Sequence, residues 1–560
     1  LAVLTLQEDT PSLWAVRNDT VALAALPDAD KKKGKKDKKD NEEADAPDGI
    51  PAVTIDLEGI ERRMEVFPVP AGNFRGIAAA KENLIFLQGP NSGSDGQSAT
   101  LKLYDRQERE VKTIVEGIDG FLLTANGEKV LVWKEGQLYL IDPAPDQKLE
   151  KSFRTSEMRM TVDPPAEWRQ VFNDVWRLER DFFYDKDMHG VDWQAMHARY
   201  GKWLDVCATR SDLNMVIGEL IGELNASHAY RGGGDMPEPS QTPVGYLGID
   251  WAVSGAYYAV GRILRGAPWD AEVRSPLDQP GLTIREGDLI LAVNGQPLTR
   301  DQEPSAAFIG LADADVELTM ASAADPQKTR KVLVHTMSSE ARLRNLDWIE
   351  ANRQYVDKAS GGRVGYIYVP NTGVDGQNEL MRQFSGQWHK DALLIDERWN
   401  SGGQIPDRFI ELLNRKPLAY WAVRDGETWR WPPVGHFGPK AMLINGWSGS
   451  GGDAFPDYFR KSGLGPLVGT RTWGGLIGIS GAPQLIDNGG VTVPTFRMYN
   501  PDGTWFKEGH GVDPDILVPE DPGAIARGQD PQIDRAVGYL MEQLKNYQPP
   551  VPPRPASEKR

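Results

Sequence analysis

Two short runs constrain the fold of this chain more than any other feature. They are "KDALLIDERWNSGGQIP" at 390–406 and "KAMLINGWSGSGGDAFPDYF" at 440–459. Each is an apolar strand-length core, then a glycine-rich turn, then apolar residues at helical spacing. A strand that is apolar on both sides must be covered on both faces, and helices that follow such strands supply the cover. "GRVGYIYVP", "GQNELMRQFSGQW" and "PDRFIELLNRK" continue the alternation, so residues 338–545 are expected to form an α/β layer.

The second run holds two serines, Ser448 and Ser450, and nearly matches the nucleophile elbow G-x-S-x-G. Ser450 falls at the start of the following helix, where free backbone N–H groups and the helix dipole favour developing negative charge. Ser448 falls earlier in the turn, so position favours Ser450. In the first run, Gly402 and Gly403 let backbone amides approach a substrate oxygen. One oxyanion-hole donor would come from Gly402 or Gly403 and one from Gly451, the residue after the serine. Taken alone, both runs read equally well as plain turns that lead into helices.

A serine nucleophile needs a base within hydrogen-bond reach. His228, in "NASHAYRGGGD", stands at a helix end beside Ser227. A lone histidine is usually structural, but this one opens a glycine-rich segment. It would reach Ser450 from another domain, which places the site at an interdomain cleft.

The rest of the chain sets the context. With 560 residues it is too long for one core. Residues 1–160 alternate short apolar and polar runs, as in "KVLVWKEGQLYLID", whose "KEGQ" is a hairpin turn. They are expected to be the C-terminal part of a β-propeller-like region, too short to close a ring, with an opening "LAVLTLQ" that suggests a longer precursor. Within them, 28–49 is a basic block followed by an acidic one with almost nothing apolar, the composition of a disordered loop. Residues 165–236 carry apolar positions at helical spacing and should form a small helical domain holding His228. Residues 240–337 read as a compact β domain. "REGDLILAVNGQPL" is a strand pair turned at Asn294-Gly295, and the whole resembles a PDZ domain with "GYLGID" as its carboxylate-binding loop. Such a domain holds an extended peptide as an added strand, or serves as a structural module with an empty groove. Residues 546–560 form a proline-rich tail. The fold class is therefore multidomain α+β.

Composition removes several function classes. The formal net charge of −17 argues against a nucleic-acid partner, because phosphate binding needs a basic face. No apolar run is long enough for a membrane span. The single cysteine, Cys207, excludes an internal disulfide framework and a cysteine-based zinc site, and no H-E-x-x-H pair occurs among the seven histidines. Neither a metal nor another cofactor is implied.

The segments "ASHAY", "DERWNSGG", "SGSGGDAF", "VGTRTWGG" and "KEGHGVDPDI" resemble those of the tricorn protease family, within the carboxyl-terminal processing peptidases. The order of β strands, helical segment, PDZ-like domain and α/β domain is also similar. The resemblance implies a serine peptidase that cleaves oligopeptides through an acyl-enzyme. Ser450 would be its nucleophile and His228 its base, with Ser227 orienting the imidazole and Glu508 fixing Ser227. It implies Gly402 and Gly451 as the oxyanion hole, with Gly403 also contacting substrate. Many relatives instead use a lysine base in "T-F-G-K-G". This chain has Gly475 at that place, so a Ser–Lys dyad is excluded. Tricorn carries an aspartate where this chain has Gly451. Asp425 in "AVRDGE" is the candidate acid for selecting basic side chains. The resemblance further implies a homo-oligomer, a hexamer in tricorn itself, and a periplasmic location is preferred over a cytoplasmic one. The competing reading is a non-catalytic peptide- or ligand-binding protein on the same fold. Such a binder has no use for Ser450, His228, Ser227 and Glu508 together.

Overall fold

A computed structural model describes residues 1–15, 53–80, 83–90, 98–270, 272–548 and 551–559. The charged insert 28–49 lies outside the described residues. The chain forms two compact units, Leu1–Thr161 and Val162–Arg560.

In the first unit, strands Asn73–Ala80, Asn83–Gly89, Ala99–Asp105 and Glu110–Ile118 form a four-stranded antiparallel meander. Strands Gly120–Leu123, Val130–Lys134 and Gln137–Ile141 form a second sheet of three. The last two of these strands meet at a two-residue turn, Glu135-Gly136, with φ 50° and 76°. Left-handed backbone at both turn positions matches the twist of the strands it joins. Leu101, Leu103, Ile114, Val130 and Val132 form the core of this unit. The sheets are open, and none closes into a ring among the described residues. Of the propeller-like expectation, which already excluded a closed ring, the structure shows the antiparallel sheets alone.

The second unit holds three layers of structure. Helices Pro164–Phe182, Trp193–Gly201 and Arg210–Gly222 bury Phe172, Val175, Leu213, Ile217 and Leu220. Leu485 and Val491, from the far end of the chain, complete that core. Strand Arg231–Gly232 pairs with Gly490–Val491, and the buried Arg210 is ion-paired with Asp487. The helical segment is therefore fastened to the α/β layer at several points. The β domain is a six-stranded antiparallel sheet with its own core, including Ile249, Val260, Ile290 and Leu318. Asn294-Gly295 makes its tight hairpin, with φ 49° and 77°.

The α/β layer is a five-stranded, wholly parallel sheet. Its order is Val364–Tyr368, Ala392–Asp396, Lys440–Ile444, Leu467–Gly469 and Ile516–Leu517. Alternate residues face opposite sides. Ile367, Leu393, Ile395, Met442 and Ile444 pack against Phe384, Phe409, Phe455 and Phe459. Tyr366, Leu394, Ala441 and Leu443 pack against Val356, Ile533, Val537 and Leu540. Each such side chain contributes about 1.5–3 kcal/mol on burial, which explains why the strands read as unbroken apolar runs. Arg398 then fixes the exit from the second strand. Its guanidinium donates to both Asp396 oxygens at 2.9 and 2.7 Å, and to Asp530 and Gln532 at 2.9 Å each. This locks the start of the Asn400–Gly403 turn to the opposite helix layer. Both glycine-rich turns emerge at the carboxyl ends of neighbouring strands, the usual place for a site in such sheets.

Candidate active site

The turn after strand Lys440–Ile444 separates the two serines. Ser448 is fully buried, and its hydroxyl donates to the Glu397 carbonyl oxygen at 2.8 Å. Its hydroxyl is committed to holding the two glycine-rich turns together. Ser450 caps the helix Gly451–Lys461 and lines an open cleft. Its backbone sits at φ 59°, ψ −115°, a conformation that costs about 1–3 kcal/mol for a residue with a side chain. A sharp strand-to-helix turn of this kind is the geometry in which α/β hydrolases present a nucleophile.

Asp453 holds Ser450 in that conformation. This carboxylate, fully buried, accepts from the Ser450 N–H at 2.8 Å, the Gly474 N–H at 2.7 Å, the Gly475 N–H at 3.1 Å and the Thr472 hydroxyl at 2.5 Å. Burial pushes its pKa up to about 6, against the lowering effect of those four donors. The sequence reading missed Asp453. The available signal was the Ser-x-x-Asp spacing of a capping box.

The glycines divide differently from expectation. The Gly402 N–H donates to the Asn400 side-chain oxygen at 2.9 Å, and its carbonyl accepts from Thr372 N–H at 2.9 Å. Gly402 therefore has no N–H to offer a substrate, which corrects its assignment as an oxyanion donor. It must still be glycine: φ is 85°, and a Cβ there would lie 2.8 Å from the Ser450 Cβ. Among the described residues the N–H groups of Gly403 and Gly451 make no hydrogen bond, and both residues line the cleft. A Cβ on Gly451 would lie 2.4 Å from the Gly403 oxygen and 2.7 Å from its nitrogen, so these two backbones are in close contact.

His228 enters from the helical segment. Its Nδ1 is 3.1 Å from the Ser227 hydroxyl, which leaves Nε2 as the other ring nitrogen. The ring stands between Tyr230 and Trp473, at centroid distances of 5.9 and 5.6 Å. Burial holds its pKa below the ordinary histidine value, and the Glu508 charge opposes that shift. Glu508 reaches Ser227 through the backbone rather than the hydroxyl. It accepts from the Ser227 N–H and the Leu476 N–H, each at 3.0 Å. No hydrogen bond joins Ser450 to His228 among the described residues. They meet as walls of one cleft of about 920 Å³, which also takes in Gly403, Asp407, Tyr458, Ile477, Phe496, Arg497 and Met498.

A Cβ on Gly475, the place weighed above for a lysine base, would lie 2.1 Å from the Trp473 ring. Trp473 thus fills the space a lysine base would need. Asp425 is absent from the cleft. It sits on an exposed turn, 3.7 Å from Arg424, with its side chain 90% exposed, which corrects its place as a substrate-binding residue. The charged side chains that do line the cleft, Asp407 and Arg497, carry no recognisable motif in the sequence. No helix among the described residues is long and apolar enough to cross a membrane.

The parallel sheet with a serine at this elbow defines a class: residues 363–518 match the model of peptidase family S41. Residues 164–222 match the tricorn protease C1 domain and residues 245–339 the tricorn protease PDZ domain. With those three segments in succession, the chain belongs to the tricorn proteases. It is 34% identical over 535 residues to tricorn protease homolog 1 of Streptomyces coelicolor, covering 92% of this chain and 50% of that protein. It is 28% identical over 509 residues to the tricorn protease of Thermoplasma acidophilum, covering 90% of this chain and 47% of that one. A crystal structure of the tricorn protease superposes with a TM-score of 0.81 at 28% identity, over 89% of this chain and 49% of that chain. The chain spans about half the length of these relatives.

Proposed function

We propose that this chain is a serine peptidase acting on oligopeptides, with Ser450 as nucleophile. The observation that carries the reading is the strained elbow at Ser450, facing one cleft with His228 and the two unmatched N–H groups of Gly403 and Gly451. Ser450 Oγ attacks the scissile carbonyl carbon while its proton passes to His228 Nε2. The oxyanion is received by Gly403 and Gly451 N–H, a modification of the pair implied by the resemblance. Collapse expels the amine, which takes the proton from His228, and water then hydrolyses the acyl-Ser450 ester. Ser227 orients the imidazole through Nδ1. Glu508 anchors Ser227 through its backbone and favours the imidazolium through its charge. A homo-oligomer, a hexamer by analogy with tricorn, is part of the same reading.

A fluorophosphonate should label Ser450, and His228→Ala should slow that labelling by at least about a hundredfold, the range for removing a general base. Mass mapping of the label to any other residue would sink the assignment. Glu508→Gln supplies a second test. The charge of Glu508 raises the His228 pKa, so removing it should move the acid limb of kcat/KM to lower pH. A limb that stays in place, or moves to higher pH, would show that Glu508 does not act on the base.

A further inference from the structure

Arg497 is the last residue of strand Val493–Arg497 and pairs in register with Ile477, another wall of the Ser450 cleft. Its guanidinium stacks 4.7 Å over the Trp505 ring, which fixes its plane. The Arg497 Nε is buried and finds no hydrogen-bond partner, and among the described residues no carboxylate forms an ion pair with this side chain. Two acids share its electrostatic surroundings near Tyr184, and both are committed elsewhere. Glu508 is held by the Ser227 and Leu476 N–H groups, and Asp185 accepts from the backbone of Asp187 and His189. Asp407, the acid of the cleft wall, makes no ion pair with Arg497 either. A partly desolvated guanidinium with an unmet donor carries a cost that a bound anion would relieve. Its planar fork fits a carboxylate better than any other group a peptide carries.

We propose that Arg497 is a specificity-determining residue that binds a carboxylate of the substrate peptide, either its C-terminus or an acidic side chain. This rests on the peptidase reading of the same cleft. The cleft then reads a peptide by charge as well as by shape: Arg497 receives the anion, and the scissile bond is held at Ser450. Because the contact forms with the bound substrate, its loss should appear mainly in KM.

The test uses one peptide series in four forms: free acid or C-terminal amide, each with glutamate or glutamine near the scissile bond. The wild-type chain should cleave the preferred anionic form with a kcat/KM about tenfold or more above its neutral partner, the range for one charge-assisted contact. Loss on amidation assigns the terminus, and loss on Glu-to-Gln replacement assigns the side chain. Arg497→Gln should bring the ratio close to one, and Arg497→Lys, which keeps charge but not the fork, should lower it part way. If Arg497→Gln fails to fold by circular dichroism, the lysine variant still decides the matter. A wild-type ratio near one, or a ratio that survives both substitutions, overturns the proposal. Binding of the same peptides to Ser450→Ala, followed by fluorescence anisotropy, separates the two readings. If wild type cleaves nothing, the peptidase reading fails. Anion-selective binding that is lost on adding Arg497→Gln would still uphold this one, and unselective binding would end it.

Discussion

Ser450→Ala should abolish peptide hydrolysis, lowering kcat by about 10,000-fold or more, the range for removing a serine nucleophile. The fold should survive. The Asp453 contact to residue 450 is made by the backbone N–H, which alanine keeps. Ser448→Ala is the matched control. It removes the hydrogen bond to the Glu397 carbonyl, worth about 1 kcal/mol, and leaves the attacking oxygen in place. Thermal melting should register Ser448→Ala, and turnover should register Ser450→Ala. Wild-type turnover in Ser450→Ala would refute the nucleophile. Equal loss of labelling in Ser448→Ala with an intact fold would mean that the wrong serine has been chosen.

Asp453→Asn should cost both stability and activity. The carboxylate accepts four donors, two on each oxygen. An asparagine can accept with one oxygen only, and in either orientation its NH₂ faces N–H or O–H donors. Breaking a buried charged network of this kind costs about 3–5 kcal/mol. A shift of the elbow by about 1 Å would lower kcat about a hundredfold. The pH dependence has a definite sign. The Asp453 pKa rises from 3.8 in the unfolded chain to about 6 in the fold. The folded state therefore binds more protons between these values, and the Asp453 contribution to stability falls as pH rises from about 4 to about 6. Subtracting the melting profile of Asp453→Asn from that of wild type should isolate this slope. A variant with wild-type melting temperature and turnover would show that Asp453 does not hold the elbow.

Much of the fold was legible because its determinants are local. The double-faced apolar strands at 364–368, 392–396 and 440–444 follow from side-chain character alone, and they form adjacent parallel strands. The turn at Asn294-Gly295 follows from the conformational freedom of asparagine and glycine, and at Glu135-Gly136 the glycine is the signal. The site was legible in part. Ser450 and His228 were named, and they line one cleft. The proposed oxyanion donor shifts by one residue, from Gly402 to Gly403, because both suit the turn and the Gly402 N–H is taken by Asn400. Nothing in "NSGG" says which N–H the Asn400 side chain will take. Asp425 was chosen for its charge, yet it stands on an exposed turn and does not line the cleft.

Periodicity and turn chemistry, read from the sequence alone, determined the α/β layer, the hairpins and the glycine-rich turn that made Ser450 a candidate, while the roles of Ser227 and Glu508 came from the family resemblance. These are properties of neighbours along the chain. Only the tertiary structure decided which polar groups were left free to act. Ser448 is occupied by a carbonyl 51 residues away, and Ser227 is anchored by a carboxylate 281 residues away. Among the described residues Arg497 is left without an ion-pairing carboxylate, in a protein rich in acids. A hydrogen bond is made or missed according to the atoms within about 3 Å, and distant segments of the chain supply those atoms.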